Sequence, residues 1–149
     1  MKKQLKEKGF NIDKQMSLGL RRAIYVDDTS KRFAISKGKN LKVYNYSDLL
    51  GFELNEDGGS VTQGRGLATL AGGLAFGTAG AVVAAMGKRK NTGICTDLSV
   101  NIFLNDLQDS NLLVKFIAKP MKKKGLNYQA VQKQSMELIT LLTYIDNQN

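Results

Sequence analysis

The side chains that most often carry chemistry are scarce in this chain of 149 residues, which has no His and a single Cys, Cys95. The absence of imidazole excludes most serine and cysteine hydrolases and most zinc sites. Cys95 follows a basic stretch, but with no His or second Cys available we expect a small buried side chain rather than a nucleophile. The sequence therefore predicts a protein that is not an enzyme and that needs no cofactor.

Two glycine-containing stretches resemble nucleotide-binding loops only superficially. Residues 82–89 have Val82 in place of the first glycine of a phosphate-binding loop and Arg89 in place of its hydroxyl. Residues 64–66 lack the third glycine and the preceding strand of a dinucleotide fingerprint. No metal site is predicted either, because most of the acidic candidates fall in predicted turns, where solvated carboxylates are ordinary: Asp27, Asp28, Asp48, Glu53, Glu56 and Asp57.

The formal net charge of +9 favours an anionic partner, such as an acidic membrane face or a nucleic acid. The charge is uneven, with +8 in residues 1–42, −3 in 43–87 and +4 in 88–149. Nucleic acid is the weaker expectation, because the aromatic residues available for stacking are few: Tyr25, Tyr44, Tyr46 and Tyr128. The candidate anion or membrane-surface contacts are Arg65, Lys88, Arg89, Lys90, Lys122, Lys123 and Lys124.

Hydrophobic periodicity predicts six short strands followed by one helix. The strands are expected at 23–26, 32–35, 41–44, 49–54, 98–104 and 112–118, where strand formers or alternating apolar residues lie between turn residues. Residues 126–147 have apolar side chains three and four apart, which is typical of an amphipathic helix. Residues 1–19 are lysine-rich with scattered apolar residues, and we expect a mobile arm or a short surface helix there.

The glycines are concentrated in a chargeless segment of 22 residues, 66–87, which we call the insert. As a helix it would be about 33 Å long, but few of its residues are strongly apolar. A helix there would bear a stripe of small residues, which lets two backbones approach closely. This stripe is the candidate surface for helix packing and oligomerisation: Gly66, Gly73, Gly77, Gly80, Ala84 and Gly87.

Three structures of the insert remain open from the sequence: a soluble helical hairpin packed on the sheets or on another copy, a membrane-associated segment, and a disordered loop. If the strands before residue 54 and after residue 97 share one sheet, they lie on the same side of any membrane, and a single crossing is excluded. Two crossings would need about twenty residues each, more than the insert has. A membrane-associated insert is therefore expected to be re-entrant or interfacial, or a long helix that associates with copies of itself.

The chain resembles a group of uncharacterised proteins of Gram-positive bacteria and their phages and mobile elements. The resemblance rests on YVDDTSKRFAI, LKVYNYSDLLGFEL, the insert with its flanks, CTDLSVNIFLND, NLLVKFIA and the closing helix. Some relatives have a C-terminal SHOCT oligomerisation module, which this chain lacks. The order of strands and helix is also similar to bacterial pleckstrin-homology-like (PH-like) domains, which implies an α+β fold with a bent antiparallel sheet or partial barrel, a C-terminal amphipathic helix and a Gly/Ala-rich helical insert.

The expected organisation is a basic N-terminal arm over 1–19 and a single PH-like domain over 20–149, interrupted at about 61–93 by the insert and its flanks. We expect a non-enzymatic interaction module that self-associates, attaches to the cytoplasmic membrane face through the insert, or does both. The alternative is a phage or mobile-element protein that binds and blocks a host protein or nucleic acid. The N-terminus lacks the apolar stretch of a signal peptide, so a cytoplasmic location is expected, with peripheral attachment at the inner face of the cell membrane as an option.

Overall fold

The computed structural model of the chain describes residues 1–19, 21–63 and 93–148. Within these ranges the chain forms an α+β fold of two four-stranded antiparallel sheets, a two-stranded ribbon and a C-terminal helix. The prediction of an antiparallel fold closed by a C-terminal helix is confirmed. The expected Gly/Ala-rich helix of the insert lies outside the described residues.

The first sheet contains four consecutive strands that pair in chain order: β1 (Lys14–Ser17), β2 (Arg22–Asp27), β3 (Arg32–Lys37) and β4 (Asn40–Asn45). Both faces of this sheet are covered. Phe33 and Ile35 of β3 lie in the main core, whereas Ala34 between them packs on the opposite face, as the two-residue period of a strand requires. Gly38, with φ of 63°, makes the tight turn from β3 to β4.

A short 3-10 turn, Tyr46–Asp48, joins the first sheet to β5 (Leu49–Glu56), which is followed by β6 (Gly59–Gln63). Beyond the insert come β7 (Ile94–Cys95), β8 (Leu98–Leu104) and β9 (Asn111–Ile117). The second sheet has the order β6-β5-β8-β9. Because β5 pairs with β8, from Leu49 opposite Leu104 to Glu56 opposite Leu98, strands from both sides of the insert belong to one sheet.

The C-terminal part closes the fold. Strand β10 (Met121–Lys122) pairs with β7, and helix α2 (Leu126–Asn147) then packs against the second sheet. No helix in the described ranges is long and apolar enough to cross a membrane. The buried residues of α2 follow the predicted spacing of three and four: Tyr128, Ser135, Leu138, Ile139, Leu141, Leu142 and Ile145.

The N-terminal residues form part of the folded structure. Helix α1 (Lys2–Glu7) and the segment after it place Leu5 and Phe10 on the outer face of the first sheet, where both side chains are buried. They form a second apolar cluster with Ala23, Tyr25 and Ala34. The short helix expected here is present, but strand β1 and the burial of these two side chains were not predicted from the sequence.

Each of the six predicted strands has a counterpart whose bounds agree within two residues. The expected loop 55–60 is instead a tight turn between β5 and β6, with Asp57 and Gly58 at positive φ. Strands β6, β7 and β10 were not predicted. Two acidic residues expected to be solvated, Asp27 and Glu56, are buried.

Candidate functional site

Residues from before and after the insert come together in a compact polar cluster, which we call the insert root: Glu56, Asp57, Cys95, Lys123 and Tyr128. Its residues come from the end of β5 and the turn after it, from strand β7, from the segment before α2 and from the first turn of α2. The backbone N–H of Lys123 also donates to the carbonyl oxygen of Gly93, 3.0 Å away. The chain that follows the insert is therefore tied to the segment that precedes the C-terminal helix.

Glu56 is the centre of the insert root and is only 5% exposed. Its Oε1 atom lies 2.5 Å from the ammonium nitrogen of Lys123 and accepts a hydrogen bond of 3.0 Å from the hydroxyl of Tyr128. The hydrogen bond to Glu56 raises the pKa of Lys123. Burial, reinforced by the Glu56 charge, raises the pKa of Tyr128, so this phenol remains a donor at neutral pH. The Lys123 ammonium and the Tyr128 hydroxyl thus both stabilise this buried carboxylate.

Asp57 joins the two sides of the insert through its own carboxylate. Its Oδ1 atom accepts hydrogen bonds from the backbone N–H of Thr96 at 2.7 Å, from the Thr96 hydroxyl at 2.9 Å and from the backbone N–H of Asp97 at 3.3 Å. Burial acts to raise the pKa of Asp57, but these bonds and the bond from Lys123 outweigh it and hold the pKa below its usual range. The β5–β6 turn is therefore fastened to the chain that follows β7.

Cys95 is buried, as expected from the sequence, and its thiol lies 3.4 Å from the carbonyl oxygen of Asp97. Burial and the negative charges of Asp57 and Glu56 raise its pKa to about 11. The ligand atoms of Glu56, Asp57 and Cys95 lie within 4.8 Å of one another, close enough to share a metal ion. The ammonium of Lys123 already contacts both carboxylates, and it supplies the positive charge that a metal would bring.

The surface next to the insert root combines exposed apolar and cationic side chains, and we call it the root face. Ile94 is 57% exposed and Leu126 is 81% exposed. Ile94 lies opposite Lys122 in the β7–β10 pair, so these two side chains share the outward side of the ribbon. We define the root face as Ile94, Leu126 and the three exposed lysines of the segment that precedes α2, Lys119, Lys122 and Lys124, which form no ion pair with any described residue.

A family described as a glycine zipper containing PH domain matches residues 10–118, which include both sheets and the insert between them. The chain belongs to this family. No curated protein and no solved structure gave a significant match. The PH-like and glycine-zipper parts of the resemblance drawn from the sequence are confirmed, and its Gram-positive, phage and SHOCT parts stay predictions. PH-like domains are typically interaction modules without catalytic activity, so this glycine zipper PH domain is assigned to that broad class.

The predicted contact residues of the glycine zipper PH domain have different environments. Lys122 and Lys124 are exposed on the root face, whereas the ammonium of Lys123 turns inward and contacts the carboxylates of Glu56 and Asp57. The remaining predicted residues lie outside the described ranges: Arg65, Gly66, Gly73, Gly77, Gly80, Ala84, Gly87, Lys88, Arg89 and Lys90.

The tyrosines considered for nucleic-acid stacking are not at the surface. Each has less than a tenth of its side chain exposed, and three of them place their hydroxyls on carboxylates. The described residues therefore do not present Tyr25, Tyr44, Tyr46 or Tyr128 as a stacking surface.

Proposed function

We propose that this glycine zipper PH domain is an interaction module that self-associates and attaches to an anionic membrane surface through its insert. The observation that carries the proposal is the direct pairing of β5 with β8 across the insert. This pairing means that the strands before and after the insert belong to one folded unit. The insert would therefore meet a membrane as part of that unit.

The topology limits how the insert could contact a bilayer. Because both sides of the insert belong to one sheet, the whole folded domain lies on one side of the membrane. The 22 residues of the insert are too few for two crossings. The form we propose is an interfacial or re-entrant segment whose small-residue stripe packs against the same stripe of another copy.

The root face supports the membrane part of the proposal. Ile94 and Leu126 offer apolar surface, and the exposed Lys119, Lys122 and Lys124 have no acidic partners among the described residues. A lysine near an anionic bilayer contributes about 1 kcal/mol of attraction. In the sequence, Arg65 and Lys88, Arg89 and Lys90 flank the insert and would add to this charge.

The glycine spacing supports the self-association part. Gly66, Gly73, Gly80 and Gly87 recur every seven residues, which places them along one side of a helix. An isolated helix with these glycines would lose about 1 kcal/mol per glycine relative to alanine. Close packing of backbones along the stripe compensates for that loss when a second copy is present.

The membrane part is tested by flotation with lipid vesicles. The full chain and a variant with residues 66–87 replaced by a short Gly/Ser linker are mixed with phosphatidylglycerol vesicles or with neutral phosphatidylcholine vesicles. We expect the full chain to float with the anionic vesicles and the deletion variant to float much less. Equal flotation of the two proteins would contradict membrane attachment through the insert.

The self-association part is tested by the mass of the protein in mild detergent. Gly73→Leu with Gly80→Leu fills the stripe and should shift the mass from oligomer to monomer. The matched control is Ala75→Leu with Ala79→Leu, which adds comparable volume on the opposite side of the same helix. An oligomer of unchanged mass in the glycine variant, or an equal loss in both variants, would count against a glycine zipper.

A further inference from the structure

A second surface of the molecule, far along the sheets from the insert root, has the features of a peptide-binding groove. It is a cavity of about 910 Å³ between α1, β4 and β9, which we call the seam groove. β4 is the last strand of the first sheet and β9 is the last strand of the second sheet. In the described part of the chain, each of these strands pairs on one side only, so two free sheet edges face the groove.

The free edges expose backbone groups that a further strand can use. The carbonyl oxygen of Leu113 in β9 points away from β8, because it accepts a hydrogen bond of 2.8 Å from the guanidinium of Arg22 across the groove. Unpaired strand edges of this kind are templates for the addition of an extended segment. Arg22 donates to the Leu113 carbonyl from the side of β9 on which an incoming peptide backbone would pair.

The lining is apolar at the floor and cationic at the rim. Ile35, Leu41, Leu104, Leu112 and Leu113 supply the apolar surface. Lys8, Lys37 and Lys39 lie at the rim, are exposed and form no ion pair with a described residue. The lining includes two acidic residues, Glu7 and Asp109, and the carboxylate of Asp109 is already bound to Lys42. The rim therefore carries an excess of positive charge.

We propose that the seam groove binds an acidic peptide segment in an extended conformation, by strand addition to the edge of β4 or β9. Alternate side chains of an added strand point to opposite sides, so apolar residues would meet the leucine floor while acidic residues meet the lysine rim. β4 is six residues long, about 20 Å in a strand, which matches a peptide of similar length. The site is separate from the insert and does not depend on the function proposed above.

The proposal is tested with a fluorescein-labelled peptide of alternating Glu and Val, whose binding to the full-length protein is followed by fluorescence anisotropy. We expect saturable binding that Lys37→Glu with Lys39→Glu weakens by at least about tenfold, since both changes reverse a charge at the rim. The matched control is Lys14→Glu with Lys133→Glu, which makes the same change in net charge at two exposed lysines outside both the groove and the root face. This control should bind the peptide nearly as well as the unchanged protein.

A second probe separates strand addition from charge attraction. The same peptide with N-methylated backbone amides keeps its charges but cannot pair with a strand edge, and we expect it to bind at least about tenfold more weakly. Equal binding of the two peptides would overturn strand addition. The groove would be overturned as a peptide site if the two pairs of lysine substitutions weakened peptide binding equally. It would also be overturned if the Lys37 and Lys39 substitutions reduced binding to anionic vesicles but left peptide binding unchanged. None of these results depends on residues 66–87.

Discussion

The ammonium nitrogen of Lys123 lies 2.5 Å from Oε1 of Glu56, in a pair whose side chains are 17% and 2% exposed. This contact joins the end of β5 to the segment that precedes α2, close to Gly93, where the described chain resumes after the insert. The pair is more than a surface ion pair, because Glu56 is desolvated and Tyr128 donates to the same oxygen. The end of β5 and the segment before α2 therefore form a tightly held base at the insert root.

The first prediction concerns this base. Lys123→Met removes the cation from a buried carboxylate while it keeps most of the side-chain volume, and we expect the free energy of unfolding to fall by about 2 kcal/mol. The matched control is Lys124→Met, an exposed neighbour with no ion pair, which should change stability by less than about 0.5 kcal/mol. Denaturant unfolding followed by circular dichroism measures both values.

The same prediction has a stricter form in a double-mutant cycle. Glu56→Gln alone also breaks the pair, but Glu56→Gln with Lys123→Met removes both charges, so the double variant should lose less than the sum of the two single losses. A strictly additive cycle would show that the contact between Lys123 and Glu56 contributes nothing to stability.

The second prediction follows from the depressed pKa of Asp57. Burial opposes ionisation of this carboxyl, but the hydrogen bonds from Thr96, Asp97 and Lys123 hold its pKa below the usual value near 4. Its stabilising contribution is complete above the pKa of the unfolded chain and is lost as the pH falls toward the lower pKa of the folded chain. Stability should therefore decline below about pH 4.

Asp57→Asn isolates this contribution, because asparagine tolerates the positive φ of 51° at this position. The variant should be less stable near neutral pH by about 1 kcal/mol and should lose less stability on acidification than the unchanged protein. Part of the acid sensitivity remains in the variant, since hydrogen bonds from Lys42, Gln108 and Asp109 also lower the pKa of Asp106. Parallel pH profiles for the two proteins would contradict the assignment.

The elements that the sequence predicts well are those with a strong local pattern. In strand β8 the apolar residues Leu98, Val100, Ile102 and Leu104 occupy alternate positions, and all four are buried. Phe103 lies between two of them, on the other face of the strand, and is only partly buried. Helix α2 keeps its apolar spacing over 22 residues. Such regular patterns determine the element before any tertiary contact is considered.

The elements that escaped prediction depend on distant partners. β7 and β10 have two residues each, and they are strands only because they pair with one another. The local sequence does not distinguish Lys123, whose side chain turns inward, from the neighbouring lysines, because its partners Glu56 and Asp57 come from another part of the chain. Tyr128 likewise reaches Glu56 from 72 residues away. The insert root was therefore invisible to an argument from spacing.

The third prediction tests whether the N-terminal segment is part of the folded unit. Leu5 is fully buried against the outer face of the first sheet, whereas Leu107 is fully exposed in the turn between β8 and β9. Leu5→Ala should lower the free energy of unfolding by about 2 to 4 kcal/mol, because it opens a cavity in the second cluster. Leu107→Ala is the control and should change it by less than about 0.5 kcal/mol. A similar small effect of both substitutions would show that residues 1–12 contribute little to stability.

The fourth prediction concerns the thiol of Cys95. Its pKa of about 11, which results from burial and from the charges of Asp57 and Glu56, leaves about one thiolate in a thousand molecules at about pH 8. The side chain is also fully buried, so a reagent reaches it only after local or global opening. The folded protein should therefore react with Ellman's reagent at least about a hundredfold more slowly than the same protein in guanidinium chloride.

Lys123→Met loosens the insert root and should accelerate the reaction of the folded protein, whereas Lys124→Met should not. Rapid labelling of the unchanged folded protein would show that the insert root is open in solution.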